Sequence, residues 1–182
     1  EERYLSSFYG MLGIPVCPEV DLDAGAPSAI LGAQALGFAG IRDYALDMRE
    51  KGVPLAFSEA FLRKTGLCAG PDDPVIAPGA DNWSLMDMDA GALNALRDRL
   101  TAPLGLRFRA PTRVALNLYD QDMEVVQNFL DEPVQVELDL FGRDPKARKV
   151  ALVLSEGREV GLVREGSRYA LTIPPRTLVV LN

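Results

Sequence analysis

From Leu106 onward, apolar residues recur at every second position, whereas before it they recur at helical spacing between short uncharged runs. One packed layer cannot serve both periods, because a stripe built for 3.6 residues per turn does not keep register on a pleated strand. The chain therefore reads as α/β plus all-β, with an α/β subdomain over residues 1–105 and an antiparallel β-sandwich domain over residues 106–182. Its 182 residues leave room for two small cores or one large one.

The first half is built around "SAILGAQALGFAGIRDYALDMREKGVPLAF", residues 28–57. A buried strand from Ser28 to Gly32 leads into a helix and out into a second strand, "VPLAF", residues 53–57. Ile41, Tyr44, Ala45 and Met48 fall at i, i+3, i+4 and i+7, the stripe of a half-buried helix, and Gly52 stands where a left-handed cap belongs. Two strands joined by a helix of this length imply a right-handed crossover and parallel pairing, as in a doubly wound sheet. Ser58 caps a short helix through Lys64 that Gly66 ends. Upstream, Leu5, Phe8 and Leu12 share one face of an opening helix closed by Gly13, followed by the extended "GIPVCPEV" and the turn-rich "DLDAGAP". Between Leu67 and Met88, Gly, Pro and Asp cluster into a long loop with a short strand at Val75 and Ile76, and Asp89 then caps a helix carrying Leu93, Leu96 and Leu100.

In the second half Val134, Val136, Leu138 and Leu140 alternate with Gln135, Glu137 and Asp139, which predicts a half-buried strand. Similar runs occupy Arg113 to Tyr119, Met123 to Leu130, Val150 to Leu154, Glu159 to Val163, Tyr169 to Ile173 and Thr177 to Leu181. The connectors Ser155-Glu156-Gly157 and Arg164-Glu165-Gly166 have hairpin chemistry. Such strands stack as a sandwich.

Charge and length narrow the partners. A formal charge of −7 supplies no basic field for nucleic acid or for an anionic membrane surface. The apolar stretches are strand-sized, well short of the roughly 20 residues of a membrane span. Glu1-Glu2-Arg3-Tyr4 has neither an initiating Met nor the regions of a signal peptide and opens inside a helical pattern, as expected of a piece of a longer polypeptide or of a processed product. Cys17 and Cys68 form neither a CxxC pair nor a disulfide framework; they read as buried thiols of a reducing, cytoplasmic compartment.

The chain contains no His, so neither a Ser-His-Asp triad nor a Cys-His dyad can be assembled from it. Cys68 in "GLCAG" has the small neighbours of a nucleophile elbow, but a helix precedes it and a Pro-Asp loop follows, the reverse of the strand-to-helix setting an elbow needs. The D-x-D pairs Asp21/Asp23, Asp87/Asp89 and Asp120/Asp122 suit a hard cation by residue type. Gly25 and Gly91 fall at the fifth position of such a loop rather than the sixth, and caps and turns account for these acids. "GAQALGFAG", residues 32–40, is rich in small residues but lacks both phosphate-loop patterns, and no Lys or Arg lies between Ser28 and Ile41; it reads as close strand-to-helix packing. Trp83, within an N-x-S triplet, reads either as a sugar-stacking platform or as a ring packed over a core or interface. Trp83 and Tyr119 are the candidate ligand-binding residues; no catalytic residue, metal ligand or cofactor is assigned.

The run "YLSSFYGMLGIPVCPEVDLDAGAPSAILGAQALGFAGIRDYALDMREKGVPLAFSEAFL" resembles the glutamine-amidotransferase-like trimerization domain of family 42 β-galactosidases and related glycoside hydrolases. "VVQNFLDEPVQVELDLFG" and "YALTIPPRTLVVLN" are similar to the small β-sandwich that closes those enzymes. The resemblance implies a truncated flavodoxin-like or amidotransferase-like parallel sheet, and a noncatalytic scaffold or oligomerisation region of a larger carbohydrate-active protein. The family's paired catalytic Glu residues belong to a barrel for which this chain has no room, so none is carried over. The family's opening strand is missing here, and its Gly-Gly before the second strand is Lys51-Gly52. The partners implied are the upstream polypeptide and further copies of the chain, as a dimer or trimer, through the sheet edge at Ser28 to Gly32 or the helix from Tyr4 to Leu12. A sugar-binding module using Trp83 or Tyr119 and a small amidotransferase-like hydrolase using Cys68 are the alternatives.

Overall fold

A computed structural model of the chain describes residues 13–14, 26–76, 88–119, 123–143, 150–152 and 160–181. The expected opening helix, most of "GIPVCPEV" and "DLDAGAP", Cys17, Trp83 and every D-x-D residue except Asp89 lie outside the described residues. The chain divides into two compact units, Val20–Asp87, and Met88–Asn182 together with Glu1–Glu19. That division falls at residue 87/88, ahead of the change of period at 105/106.

In the first unit β1 (Ala29–Leu31), β2 (Leu55–Ser58) and β3 (Val75–Ile76) form a parallel three-stranded sheet in the order β1-β2-β3. Helices α1 (Ile41–Glu50) and α2 (Glu59–Thr65) connect or follow these strands. The expected stripe is in place: Ile41, Ala45 and Met48 are buried, and half-buried Tyr44 packs with them against Leu55, Phe57 and Phe61. Acid and base are placed to suit the α1 dipole, with Asp43 in its first turn and Arg49 in its last. The predicted caps also form, as Ser58 Oγ accepts a hydrogen bond from Phe61 N at 3.1 Å and Gly66 closes α2 at φ 70°. Two details differ from the sequence reading. Only Leu31 of β1 is buried, Ala29 and Ile30 being half-exposed, and a 3-10 helix over Ala33–Gly37 separates β1 from α1. The small residues of 32–40 thus turn the chain between elements.

The second unit opens with α3 (Ala90–Thr101), where Asp89 Oδ2 accepts from Gly91 N at 2.9 Å and Ala92 N at 3.1 Å. Capping is therefore what this member of its D-x-D pair does. Eight strands follow: β4 (Arg107–Arg109), β5 (Val114–Tyr119), β6 (Met123–Asn128), β7 (Val134–Asp139), β8 (Val150–Leu152), β9 (Gly161–Glu165), β10 (Arg168–Ile173) and β11 (Leu178–Leu181). They form two antiparallel sheets, ordered β4-β7-β10-β9 and β5-β6-β11-β8, whose inner faces share one core. Phe108, Val136, Leu138 and Leu171 come to that core from the first sheet, and Leu116, Val126, Val179 and Leu181 from the second. β7 keeps the predicted facing, with Val134, Val136 and Leu138 buried, Gln135 and Glu137 exposed and Asp139 half-buried.

Strand pairing keeps one of the two proposed hairpins, since β9 and β10 pair antiparallel across a tight turn, and separates the strands of the other. β8 pairs with β11 and β9 with β10, so the strands before and after Ser155-Glu156-Gly157 belong to different sheets and do not pair with each other. Arg164 and Glu165 belong to β9 itself, and the turn into β10 is Gly166-Ser167. β4 was not foreseen, because "RFR" offers a single inward apolar residue, too short a run for a period to register.

A close approach between backbones fixes where β7 ends. Gly142 N donates to Gly105 O at 2.8 Å, and a Cβ on Gly142 would lie 2.5 Å from Gly105 Cα. Gly105 also sits at φ 73°, in the left-handed region. Gly142→Ala is therefore expected to cost about 1–3 kcal/mol by overpacking. Chemical denaturation measures it, and a midpoint equal to that of the wild type would show that the two turns do not meet as described.

Candidate functional site

Cross-strand register builds a charged, concave surface on the second unit. On the outer face of the β4-β7-β10-β9 sheet, Arg107, Asp139, Arg168 and Glu165 are consecutive cross-strand partners, so charge alternates in sign across four strands. The next rung toward the other end of the strands reads Arg109, Glu137, Ala170 and Val163. These two rungs line a concavity of about 440 Å3. Its floor is low because Ala170 has only a methyl group between neighbours with long side chains, and Val163, 62% exposed, adds an apolar wall.

The arginines are held from behind or beside. Asp98 of α3 binds Arg107 Nε at 3.3 Å and Arg109 Nη2 at 2.9 Å. Asp139 binds Arg168 Nε at 3.3 Å and accepts from Ser167 Oγ at 2.6 Å. α3 is in turn anchored by Arg97, which is fully buried with its guanidinium 5.1 Å from the centre of the Phe108 ring. Phe108 points inward between outward-facing Arg107 and Arg109, so this anchor orders the strand that presents both arginines. Three arginines and three carboxylates line the concavity, and their formal charges cancel.

Of the predicted ligand residues, Tyr119 is not part of this surface. Tyr119 ends β5 on the other sheet, opposite Met123, and is 50% exposed; Trp83 is outside the described residues. Sequence reasoning placed Glu137 and Asp139 on a polar strand face, but Arg107, Arg109, Arg168 and Glu165 were missed as site residues. Only long-range register brings them beside those acids, and the signal available was the alternation of charge and apolar residue in "RFR" and "RYALTI".

Cys68 contradicts its predicted burial, for its thiol is free and exposed. The reason lies in the loop after α2, where the backbone is anchored in its place. Arg49 Nη2 donates to Cys68 O and to Asp73 Oδ2, each at 2.9 Å, and Asp73 Oδ2 also accepts from Gly70 N at 2.9 Å. With helix α2 before it and an irregular stretch after it, Cys68 lacks the strand-turn-helix geometry of a nucleophile elbow. Among the described residues no group of three or more acidic or thiol side chains is placed to hold a metal ion, and no helix is long and apolar enough to cross a membrane.

No family model matches the chain, and no curated protein matches it. Two solved structures are distantly similar. The native form of the Nostoc punctiforme debranching enzyme aligns with 100% of this chain and 47% of its own at 12% identity and a TM-score of 0.34. The α-amylase from H. orenii aligns with 81% of this chain and 45% of its own at 14% identity and a TM-score of 0.27. The chain thus spans about half the length of either.

Proposed function

We propose that this chain is a noncatalytic scaffold and oligomerisation region of a larger carbohydrate-active protein. Its first unit is a truncated flavodoxin-like or amidotransferase-like sheet, and its partners are the upstream part of its own polypeptide and further copies of itself. The observation that supports this best is the succession of elements: a parallel β1-β2-β3 sheet with its helices, then two antiparallel sheets on one core, in the order the resemblance to family 42 enzymes implies. The absence of His from the chain and the setting of Cys68 weigh against an independent hydrolase. Self-association is supported by β1, which pairs only with β2 among the described residues and carries Ile30 half-exposed. The exposed free thiol of Cys68 fits a reducing, cytoplasmic compartment.

The chain is expected to hydrolyse neither nitrophenyl glycosides nor glutamine. Robust glutaminase turnover that Cys68→Ser abolishes would overturn the noncatalytic reading. Sedimentation equilibrium at micromolar concentration is expected to return a multiple of 19.8 kDa, and a strictly monomeric species would overturn the oligomerisation role.

A further inference from the structure

We infer that the concavity on the β4-β7-β10-β9 sheet is a binding site for a neutral polyhydroxylated ligand of the size of a disaccharide. Its volume of about 440 Å3 lies in the range of roughly 300–1,000 Å3 typical of small-molecule sites. Charge sorts the candidate ligands. A phosphate or carboxylate ligand drawn to the arginines meets Glu137, Asp139 and Glu165 on adjacent positions, and a cation drawn to the acids meets the arginines. Either ligand gains attraction on one strand and loses it on the next. A neutral ligand bearing vicinal hydroxyl groups is not penalised in this way, since each hydroxyl both donates to a carboxylate and accepts from a guanidinium.

The spacing of those groups is set by the sheet. Adjacent strands lie about 4.8 Å apart, and donor and acceptor alternate along Arg107, Asp139, Arg168 and Glu165 at that interval. The arginines keep donors to spare, because a guanidinium has five N–H groups and Asp98 engages Arg107 through Nε and Arg109 through Nη2. These ion pairs restrict the long side chains before a ligand arrives, which lowers the ordering cost of binding. Ala170 and Val163 supply a small apolar surface for the C–H face of a ring. The whole arrangement stands on strands rather than on loops, which favours a preformed site.

The test is a 1H–15N correlation titration of the chain with lactose, maltose and cellobiose separately, with inorganic phosphate as the charged control. At least one disaccharide is expected to give saturable shifts centred on the amides of Glu137, Val163 and Ala170, and phosphate none there. Arg109→Ala and Glu137→Ala, both exposed positions, are expected to weaken binding about tenfold or more, and Ala170→Phe to abolish it by filling the floor. If Ala170→Phe does not fold, the other two variants decide. Absence of saturable shifts with all three disaccharides, shifts centred elsewhere, wild-type affinity in both alanine variants, or phosphate binding at this face would each overturn the assignment. The result is independent of the scaffold reading, which turnover and sedimentation decide.

Discussion

Val136→Asp is expected to destabilise the sandwich by about 3–5 kcal/mol, because it places an uncompensated carboxylate in an apolar interior. Val136 is 1% exposed in the middle of β7, opposite Leu171 of β10, which is fully buried. Its neighbours on the same face, Val134 and Leu138, are also buried, and the core they join is lined by apolar side chains of both sheets. A domain of this size is stabilised by about 5–15 kcal/mol in total, so the loss removes a large part of the margin. Urea denaturation would register it as a lower midpoint with little change of slope. Glu137→Gln, one residue along and on the opposite face, is expected to shift stability by no more than about 0.5 kcal/mol. The contrast between neighbouring residues is the test of register, and equal effects at the two positions would refute it.

That contrast could be read from the sequence because alternation in one strand is a local property. So were the α1 stripe and the caps at Ser58, Gly66 and Asp89, each of which depends on residues within a turn or two of the chain. Which strand lies beside which is a different matter, since it depends on distant residues. β8 and β9 are adjacent in the chain yet belong to different sheets, so a turn-like tripeptide between them misled. The candidate site was missed for the same reason. Arg107 and Arg168 are far apart in sequence, and they flank Asp139 only because β4 and β10 both pair with β7. The thiol of Cys68 was misplaced because residue type favours burial, whereas a loop secured through Arg49 and Asp73 leaves the side chain outside.

Polar residues on core faces escaped the pattern as well. Glu124 and Asn128 share the inward face of β6 with Val126, and both are fully buried. Asn128 earns its position as a corner brace, for its Nδ2 donates to Glu132 O at 2.8 Å and Pro174 O at 2.9 Å while its Oδ1 accepts from Leu130 N at 2.9 Å. Glu124 meets Arg143 Nε at 2.9 Å, which ties the turn after β7 to the opposite sheet. Period alone marks such positions as misfits, and only their partners make burial affordable in free energy.

Arg97 extends this logic to the helix, and its removal is expected to be nearly as damaging as Val136→Asp. Burial pushes its guanidinium down to about 10, and holding the charge there costs about 3 kcal/mol at 1.36 kcal/mol per pH unit. Against this stand hydrogen bonds to Asn94 Oδ1 at 2.9 Å, to Pro111 O at 3.0 Å and to Ala110 O, together with the Phe108 ring. Each charged hydrogen bond contributes about 1.5–3 kcal/mol and the ring contact up to about 2 kcal/mol, so the balance favours folding. Arg97→Ala removes those gains, strands two carbonyls and opens a cavity; a loss of about 3–4 kcal/mol is expected. Arg97→Met keeps much of the volume and also removes the cost of the buried charge, so it should lose about half as much or less. The two variants also separate in pH. Above about pH 10 the unfolded chain retains the proton that the folded chain releases, so wild-type stability relative to Arg97→Met rises with pH there and is flat below it. Urea midpoints for the three proteins across pH 7–12 decide the matter: an alanine variant within about 1 kcal/mol of wild type would mean that Arg97 does not fasten α3 to β4.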